Sequence, residues 1–550
     1  MNHQAPKWPA VISIIAICIA AIQFCAITGI AYTLLVYMPQ NDENSASVHP
    51  TPTPSHDLPK LDGSIESFYS QPVQWSVCDP QKITKETLPQ PKNPSEYECA
   101  RVQAPVNWEE PEGETLQLAL AIHRAKDSTG EALFFNLGGP GGAAVSSIAN
   151  QVEENLGKAL TEKYDIVALD PRGVGDSTPL KCLTDEERDK KNAGDTSADT
   201  SADKTPEQIV SKARQEAIDY AKGCETHSGN LYKYVDTVSV AKDFDMVRAL
   251  LQQDKLNYLG YSYGTFLGAT YADNFADKVG RFVLDGAVDP AADVNTVSSL
   301  QMRGFEESIR HWAQDCLTSA ACPLKGNIDE AMQQMARFLQ RLEKSPVSTQ
   351  NPARPLTQNL ALTSIIGLMY STDTYDILTQ GMTQVLQEND GTTLLFVADL
   401  LNDRHTDGSY DGSSSDALNA VNNLDYTPVG TIEEWAAEAE KLKSELVVMG
   451  PFAGWASAGL EAWPTTHAQR HEVRAAGAAP IVVVGTTHDP ATPYVMSQSL
   501  AQQLESGVLV SWEGWNHTAY SAKGSRCVAQ AVESYFTNGT VPENGVMCTD

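Results

Sequence analysis

The sequence predicts an α/β protein with a mostly parallel central sheet and a large helical insertion. Three observations carry this. Lys255–Thr265 (KLNYLGYSYGT) runs from strand-forming residues into Gly-x-Ser-x-Gly and then into a helical pattern. Strand-like runs alternate with helical stretches through the first half of the chain, the order of a parallel sheet. From Pro290 to about Ala476 the pattern becomes amphipathic helix with no convincing series of strands, and strands resume near Pro480.

In order along the chain, Leu116–Ile122, Ala132–Leu137 and Tyr164–Leu169 read as strands, the second nearly all apolar, as a strand covered on both faces should be. Val240, Phe244, Val247 and Leu251 recur at spacings of four, three and four, one face of a helix over Thr237–Gln253. The elbow strand follows, then Arg281–Gly286. Helices are expected over Ala331–Leu342, Thr363–Tyr370, Ile377–Leu386 and Ile432–Leu442, and strands over Pro480–Gly485 and Val508–Trp512. The expected division is an N-terminal membrane segment (1–39), a polar Pro-rich linker (40–64), a first core part (65–290), a helical cap (291–476) and a second core part (477–550).

The 550 residues carry 70 acidic and 39 basic side chains, a formal charge of -31, which argues against nucleic acid and anionic lipid surfaces as partners. Pro9–Met38 is almost wholly apolar and exceeds the ~20 residues that cross a bilayer. With Lys7 before it, Asp42 and Glu43 after it and no convincing cleavage site, it reads as an uncleaved anchor with the remainder outside the cell; a cleaved secretory signal is the alternative. Eight cysteines lie beyond this span, which suggests four disulfides in an oxidising compartment. The sequence leaves their connectivity open, and pairing neighbours in order is the expectation because each pair closes a local loop. The segment Asp195–Asp203 is a polar repeat expected to be flexible, bracketed by Cys182 and Cys224.

Gly260-Tyr-Ser-Tyr-Gly264 between strand and helix has the layout of a nucleophile elbow, with Ser262 raised above the sheet and glycines where side chains would collide. A serine needs a base, and a histidine held by a carboxylate supplies one. In the chain order Ser, acid, His, only His517 lies beyond Asp489, which itself follows a late strand in Thr486-Thr-His-Asp-Pro-Ala-Thr-Pro493. Asp285 and Asp289 are the alternative acids. Backbone N–H groups of Tyr263 and of Gly139, in the loop Gly138-Gly-Pro-Gly-Gly142, are the expected oxyanion donors. That loop lacks the Gly-Lys-Ser/Thr of a phosphate-binding loop. Arg172 is expected to form a structural salt bridge. His467 and His471 have metal-ligand spacing, but Ala468 stands where a zinc protease has glutamate, and they read as exposed. Neither metal nor organic cofactor is expected.

Gly-Gly-Pro-Gly-Gly, Asp170-Pro-Arg-Gly-x-Gly, Gly-Tyr-Ser-Tyr-Gly-Thr, Asp285-Gly-x-x-Asp-Pro and Gly485-x-x-x-Asp-Pro-x-Thr-Pro together resemble the tripeptidyl aminopeptidases, exported α/β hydrolases related to prolyl aminopeptidases. The motifs span roughly Phe68 to the C-terminus. Asn516 departs from the glycine that the family commonly has before its histidine, although asparagine also tolerates left-handed angles. The resemblance implies peptide substrates cut near a free N-terminus, with the cap recognising the amine; Glu306 and Glu307, early in the first cap helix, are the candidate amine ligands. A carboxylesterase or lipase using the same triad, and a binding protein with an inactive hydrolase fold, are the other readings.

Overall fold

The computed structural model describes residues 58–550 apart from 86–87, 127, 129, 195–204 and 466–469. The expected span 1–39, most of the linker, the 195–203 repeat and His467 therefore lie outside the described residues. Among the described residues no helix is long and apolar enough to cross a membrane.

Ten strands form one sheet: β1 (Ser76–Val77), β2 (Tyr97–Pro105), β3 (Thr115–His123), β4 (Ala132–Asn136), β5 (Asp165–Leu169), β6 (Leu256–Tyr261), β7 (Val279–Asp285), β8 (Ile481–Thr486), β9 (Gly507–Trp512) and β10 (Val546–Cys548). Their spatial order is β1-β2-β3-β5-β4-β6-β7-β8-β9-β10. The three pairings from β1 to β5 are antiparallel and the remaining six are parallel. Strands β4, β5, β6 and β8 are buried at every residue. Alternate side chains serve opposite faces, as strand geometry requires. Phe134, Ile481 and Val483 enter the core on one side, whereas Leu133, Phe135, Val482 and Val484 enter the core on the other.

Helices of nine residues or more are numbered α1 (Asp185–Ala193), α2 (Pro206–Ser228), α3 (Thr237–Leu250), α4 (Tyr263–Asn274), α5 (Val294–Leu317), α6 (Ile328–Lys344), α7 (Gln358–Leu368), α8 (Tyr375–Thr383), α9 (Thr392–Leu401), α10 (Ser414–Asp425), α11 (Ile432–Glu445), α12 (Tyr494–Gln503) and α13 (Arg526–Asn538). Seven of them, α5 to α11, lie between β7 and β8, with no strand there among the described residues. Most of this insertion has its own apolar core, including Trp312, Met335, Phe338, Leu360, Leu394 and Leu442. Helix α10 is the exception, since Ala420, Val421 and Leu424 join the core that packs on the sheet.

The region before the elbow also differs from a simple loop. Helices α1 and α2 flank the 195–204 segment, and both dock on α10 through one buried carboxylate. Asp416 accepts hydrogen bonds from Cys182 N (2.9 Å), Arg188 Nη2 (2.6 Å) and Tyr220 Oη (2.5 Å). The four disulfides join neighbours in order, Cys78–Cys99, Cys182–Cys224, Cys316–Cys322 and Cys527–Cys548. Such disulfides are characteristic of proteins that mature in an oxidising environment.

Arg172 is fully buried and spends all five N–H donors. Nε and Nη2 form a fork on Asp243 of α3 at 2.7 Å each, and Nη1 and Nη2 reach the carbonyls of Val106, Tyr234 and Pro105 at 2.7 to 3.0 Å. The loop after β5 is thereby fixed to α3, the helix that feeds the elbow strand. Removing one partner of a buried pair strands the other's charge, so Arg172→Ala is expected to cost about 3–5 kcal/mol. A urea-denaturation midpoint equal to that of the unaltered protein would contradict this.

Candidate active site

The functional candidates lie where the parallel strands end. The glycine loop follows β4, Ser262 follows β6, Asp285 closes β7, Asp489 follows β8 and His517 follows β9. This is the carboxyl edge of the sheet, where open α/β folds place their sites.

Ser262 has φ 55° and ψ -125°, a conformation a non-glycine residue rarely adopts, and it precedes α4 directly. The surroundings hold it there. Its N–H donates to Asp285 O (2.9 Å), and its carbonyl accepts from Thr265 N (2.8 Å) and Thr265 Oγ1 (2.5 Å). Thr265 Oγ1 in turn accepts from Val288 N at 2.9 Å. The turn is too tight for side chains on either flank: a Cβ on Gly260 would stand 2.4 Å from Gly264 O, and one on Gly264 would stand 2.8 Å from Asn136 Oδ1. Tyr263 is the first residue of α4, so its N–H has no helical carbonyl one turn earlier.

Asp489 and His517 are both buried, and His517 Nδ1 lies 2.8 and 2.9 Å from the two carboxylate oxygens. The carboxylate also accepts from Ala491 N (2.9 Å), Thr492 N (2.8 Å), Thr492 Oγ1 (3.0 Å) and Thr518 N (3.2 Å). The opposite ring nitrogen, His517 Nε2, is buried with no hydrogen-bond partner among the described residues. Ser262 and His517 flank the same short segment. The serine bonds to Asp285 O, and a Cβ on the next residue, Gly286, would come within 3.3 Å of His517 Cε1.

Asp285, the alternative acid, is otherwise engaged. Its carboxylate is completely buried and accepts Ala519 N (3.0 Å to each oxygen) and Tyr520 N (2.7 Å), which anchors the chain just past His517. Burial pushes its carboxyl up to about 7, against the pull of those two N–H groups. Asp289 accepts Ala291 N and Gln503 Nε2 at 2.9 and 2.6 Å. His471 is exposed and sits 2.9 Å from Asp273. Thr518, with φ 65°, supplies the left-handed residue of the histidine loop, and Asn516 is not among the residues with positive φ. Asn516 Oδ1 instead accepts from Thr372 N at 3.0 Å, which ties the loop to the helical insertion.

In the glycine loop, Gly138, Gly139 and Gly141 have φ of 87°, 108° and 105°, values that exclude most side chains. Gly139 and Pro140 share a chamber of about 1670 Å³ with Ser262 and Tyr263. Its walls come from three sources: the core, the insertion (Val297, Tyr370, Asp425, Tyr426) and the pair α1 and α2 (Lys191, Tyr220). Asp425 accepts Thr237 N (3.0 Å) and Thr237 Oγ1 (2.5 Å), and the Thr237 hydroxyl also contacts Tyr263 Oη. Burial raises the Asp425 carboxyl to about 7.

Glu306 and Glu307 are not placed to bind a substrate amine. The Glu306 carboxylate is buried and accepts Val447, Val448 and Met449 N–H groups at 2.9 Å each, so it caps the turn after α11. Glu307 lies 2.9 Å from His488, and neither acid lines the chamber. The acids that do are Glu187, Glu216, Asp219, Glu343 and Asp425. Reading by sequence also passed over Tyr370. Its carbonyl accepts His517 N (2.9 Å), and its ring meets the imidazole edge-on at 5.1 Å, a contact across 147 positions that no local pattern announces.

A family model described as alpha/beta hydrolase fold matches residues 131–521. Serine protease Hip1 of Mycobacterium tuberculosis is 35% identical over 496 residues, covering 88% of this chain and 92% of the relative. Carboxylesterase B of the same species is 37% identical over 456 residues, covering 82% and 86%. Tripeptidyl aminopeptidase of Streptomyces lividans is 28% identical over 497 residues, covering 86% of each chain. With its mostly parallel sheet and these relatives, the chain belongs to the α/β-hydrolase fold family and is a serine hydrolase.

Proposed function

We propose that the protein is an extracytoplasmic serine exopeptidase that cuts peptides near a free N-terminus. The observation that carries the chemistry is the buried Asp489–His517 pair beside a strained serine that opens on the chamber. Ser262 Oγ attacks the scissile carbonyl while His517 Nε2 takes its proton and then passes it to the leaving amine. Asp489 keeps the proton of the neutral ring on Nδ1 and stabilises the imidazolium. The N–H groups of Tyr263 and Gly139 receive the oxyanion. Water, deprotonated by the same histidine, then hydrolyses the acyl-enzyme, and the scheme calls on no metal or organic cofactor.

The peptidase reading draws on the relatives named as serine protease and tripeptidyl aminopeptidase. The size of the chamber supports it as well, since about 1670 Å³ exceeds the ~300–1,000 Å³ usual for small-molecule pockets. Of the chamber's acids, Glu216, Asp219 and Glu343, in place of Glu306 and Glu307, are the candidate ligands for a cationic N-terminus, since Asp425 is committed to Thr237 and Glu187 to Thr184. The helical insertion 291–476 acts as a cap that shapes this chamber, joined by α1 and α2. Pro9–Met38 anchors the enzyme to the membrane. The carboxylesterase relative favours a second reading in which the same residues hydrolyse acyl esters.

Ser262→Ala is expected to lower kcat by about 10⁶-fold with no loss of folding; turnover within tenfold of the unaltered enzyme would overturn the mechanism. Substrate class is tested separately, with chromogenic tripeptides bearing free or acetylated N-termini and with short acyl esters. Free-amine tripeptides are expected to be cut at least ~10-fold faster than acetylated ones, the factor that 1.4 kcal/mol of amine recognition provides. Equal rates would remove the aminopeptidase reading, and turnover of esters alone would establish the second.

A further inference from the structure

Trp515, two residues before His517, is held between two imidazoles. Its ring lies 3.8 Å from that of His311 and 3.9 Å from that of His488, and each pair is within 5° of parallel. The three residues come from three different places. His311 belongs to α5 of the insertion, where its Nδ1 is 3.1 Å from Tyr375 Oη. His488 is the neighbour of Asp489, and its Nδ1 is 2.9 Å from Glu307 Oε1. Trp515 sits in the loop that carries His517. None of the three lines the chamber.

The loop has other attachments, since Asn516 Oδ1 accepts from Thr372 N, Tyr370 O accepts from His517 N and Asp489 accepts from Thr518 N, and the stack adds the hold on Trp515 itself. On the far side of His517, Asp285 holds Ala519 and Tyr520. Nearer the strand, His488 N donates to Gly514 O (3.0 Å) and Gly514 N donates to Thr487 Oγ1 (3.2 Å). Between these anchors the loop must cross from β9 to His517, and the indole is the side chain there that is gripped face-on by both the insertion and the residue next to Asp489. Faces in parallel contact resist tilting and sliding of the middle ring, because any movement gives up dispersion contacts on both sides.

We propose that Trp515 is a positioning residue: clamped by His311 and His488, it fixes the height of the histidine loop over Ser262 and makes that height depend on the seating of the insertion. This rests on the reading of Ser262, His517 and Asp489 as the reacting set. The cap thus has a second task beyond shaping the chamber, since α5 supplies one jaw of the clamp while the residue next to the catalytic acid supplies the other.

The test uses the full chain and a small alkyl fluorophosphonate, which reports on how readily the base activates the serine and involves no peptide recognition. Labelling rates are measured for the unaltered protein, Trp515→Ala, Trp515→Phe and the double variant His311→Ala/His488→Ala, with the labelled residue identified by mass spectrometry. A misplacement of about 1 Å can cost on the order of 10²-fold, so Trp515→Ala is expected to label Ser262 ~10–100-fold more slowly. Its kcat should fall in parallel with KM little changed, and Trp515→Phe, which keeps a flat ring in the sandwich, should recover most of the rate. The double variant keeps the indole and removes both jaws, and it should be slow as well, which covers the case in which Trp515→Ala fails to fold. Labelling of either variant at the unaltered rate, even with a lowered melting temperature, would reduce the stack to a structural contact and overturn the proposal. An unaltered protein that is not labelled at Ser262 would overturn the reacting set itself, and the clamp with it.

Discussion

A buried carboxylate must be solvated by the protein, and the structure around Asp489 is organised by that demand. With almost no water contact, Asp489 draws donors from two loops: Ala491 N, Thr492 N and Thr492 Oγ1 from its own turn, and Thr518 N and His517 Nδ1 from the loop after β9. Meeting the needs of one charge therefore fixes the distance between those two loops. It also fixes the face that His517 turns away from the acid. If either loop moved, donors would be lost while the carboxylate stayed buried, a penalty of several kcal/mol.

The same device recurs in the surroundings. Asp285 anchors the chain after His517 through Ala519 and Tyr520, while its backbone carbonyl receives Ser262 N, so one residue at the end of β7 touches both the Ser262 turn and the His517 loop. Asp243 and Arg172 tie α3 to the loop after β5. Asp416 gathers α1, α2 and α10. Glu306 closes the end of α11. These acids join segments distant in sequence, and the strained φ of Ser262 can persist because its neighbours are fixed from several directions at once.

What the sequence revealed follows from which forces act locally. The central strands were legible because burial on both faces demands continuous apolar runs, as in Ile481–Thr486. The outermost strands are less legible: in Tyr97–Pro105, Glu98 and Arg101 interrupt the apolar pattern, and the edge strands Ser76–Val77 and Val546–Cys548 are only two and three residues long. Ser262, Asp489 and His517 can be named from the sequence because the chemistry of a serine hydrolase dictates both residue type and order, and the fold brings Asp489 and His517 into contact. The disulfides came out in the simplest order because each closes a local loop. The surroundings of Glu306 and Glu307 are not legible because a carboxylate inside an amphipathic helix carries no mark of its partner: Glu306 meets backbone N–H groups some 140 positions away, and Glu307 meets the His488 ring 181 positions away. The part of α1 and α2 in walling the chamber was hidden for the same reason, since it depends on Asp416 lying within reach of both.

The helical insertion and the loop after β9 are thus tied together. Tyr370, Thr372 and His311 from the insertion all contact the loop of His517. The proposed role of Asp489, acting through the histidine, is tested by the kinetics of Asp489→Asn. An amide keeps the size and one acceptor but loses the charge and reverses the tautomer preference of the ring, so kcat is expected to fall by about 10⁴-fold with folding retained. A folded Asp489→Asn enzyme that turns over within tenfold of the unaltered rate would contradict the account.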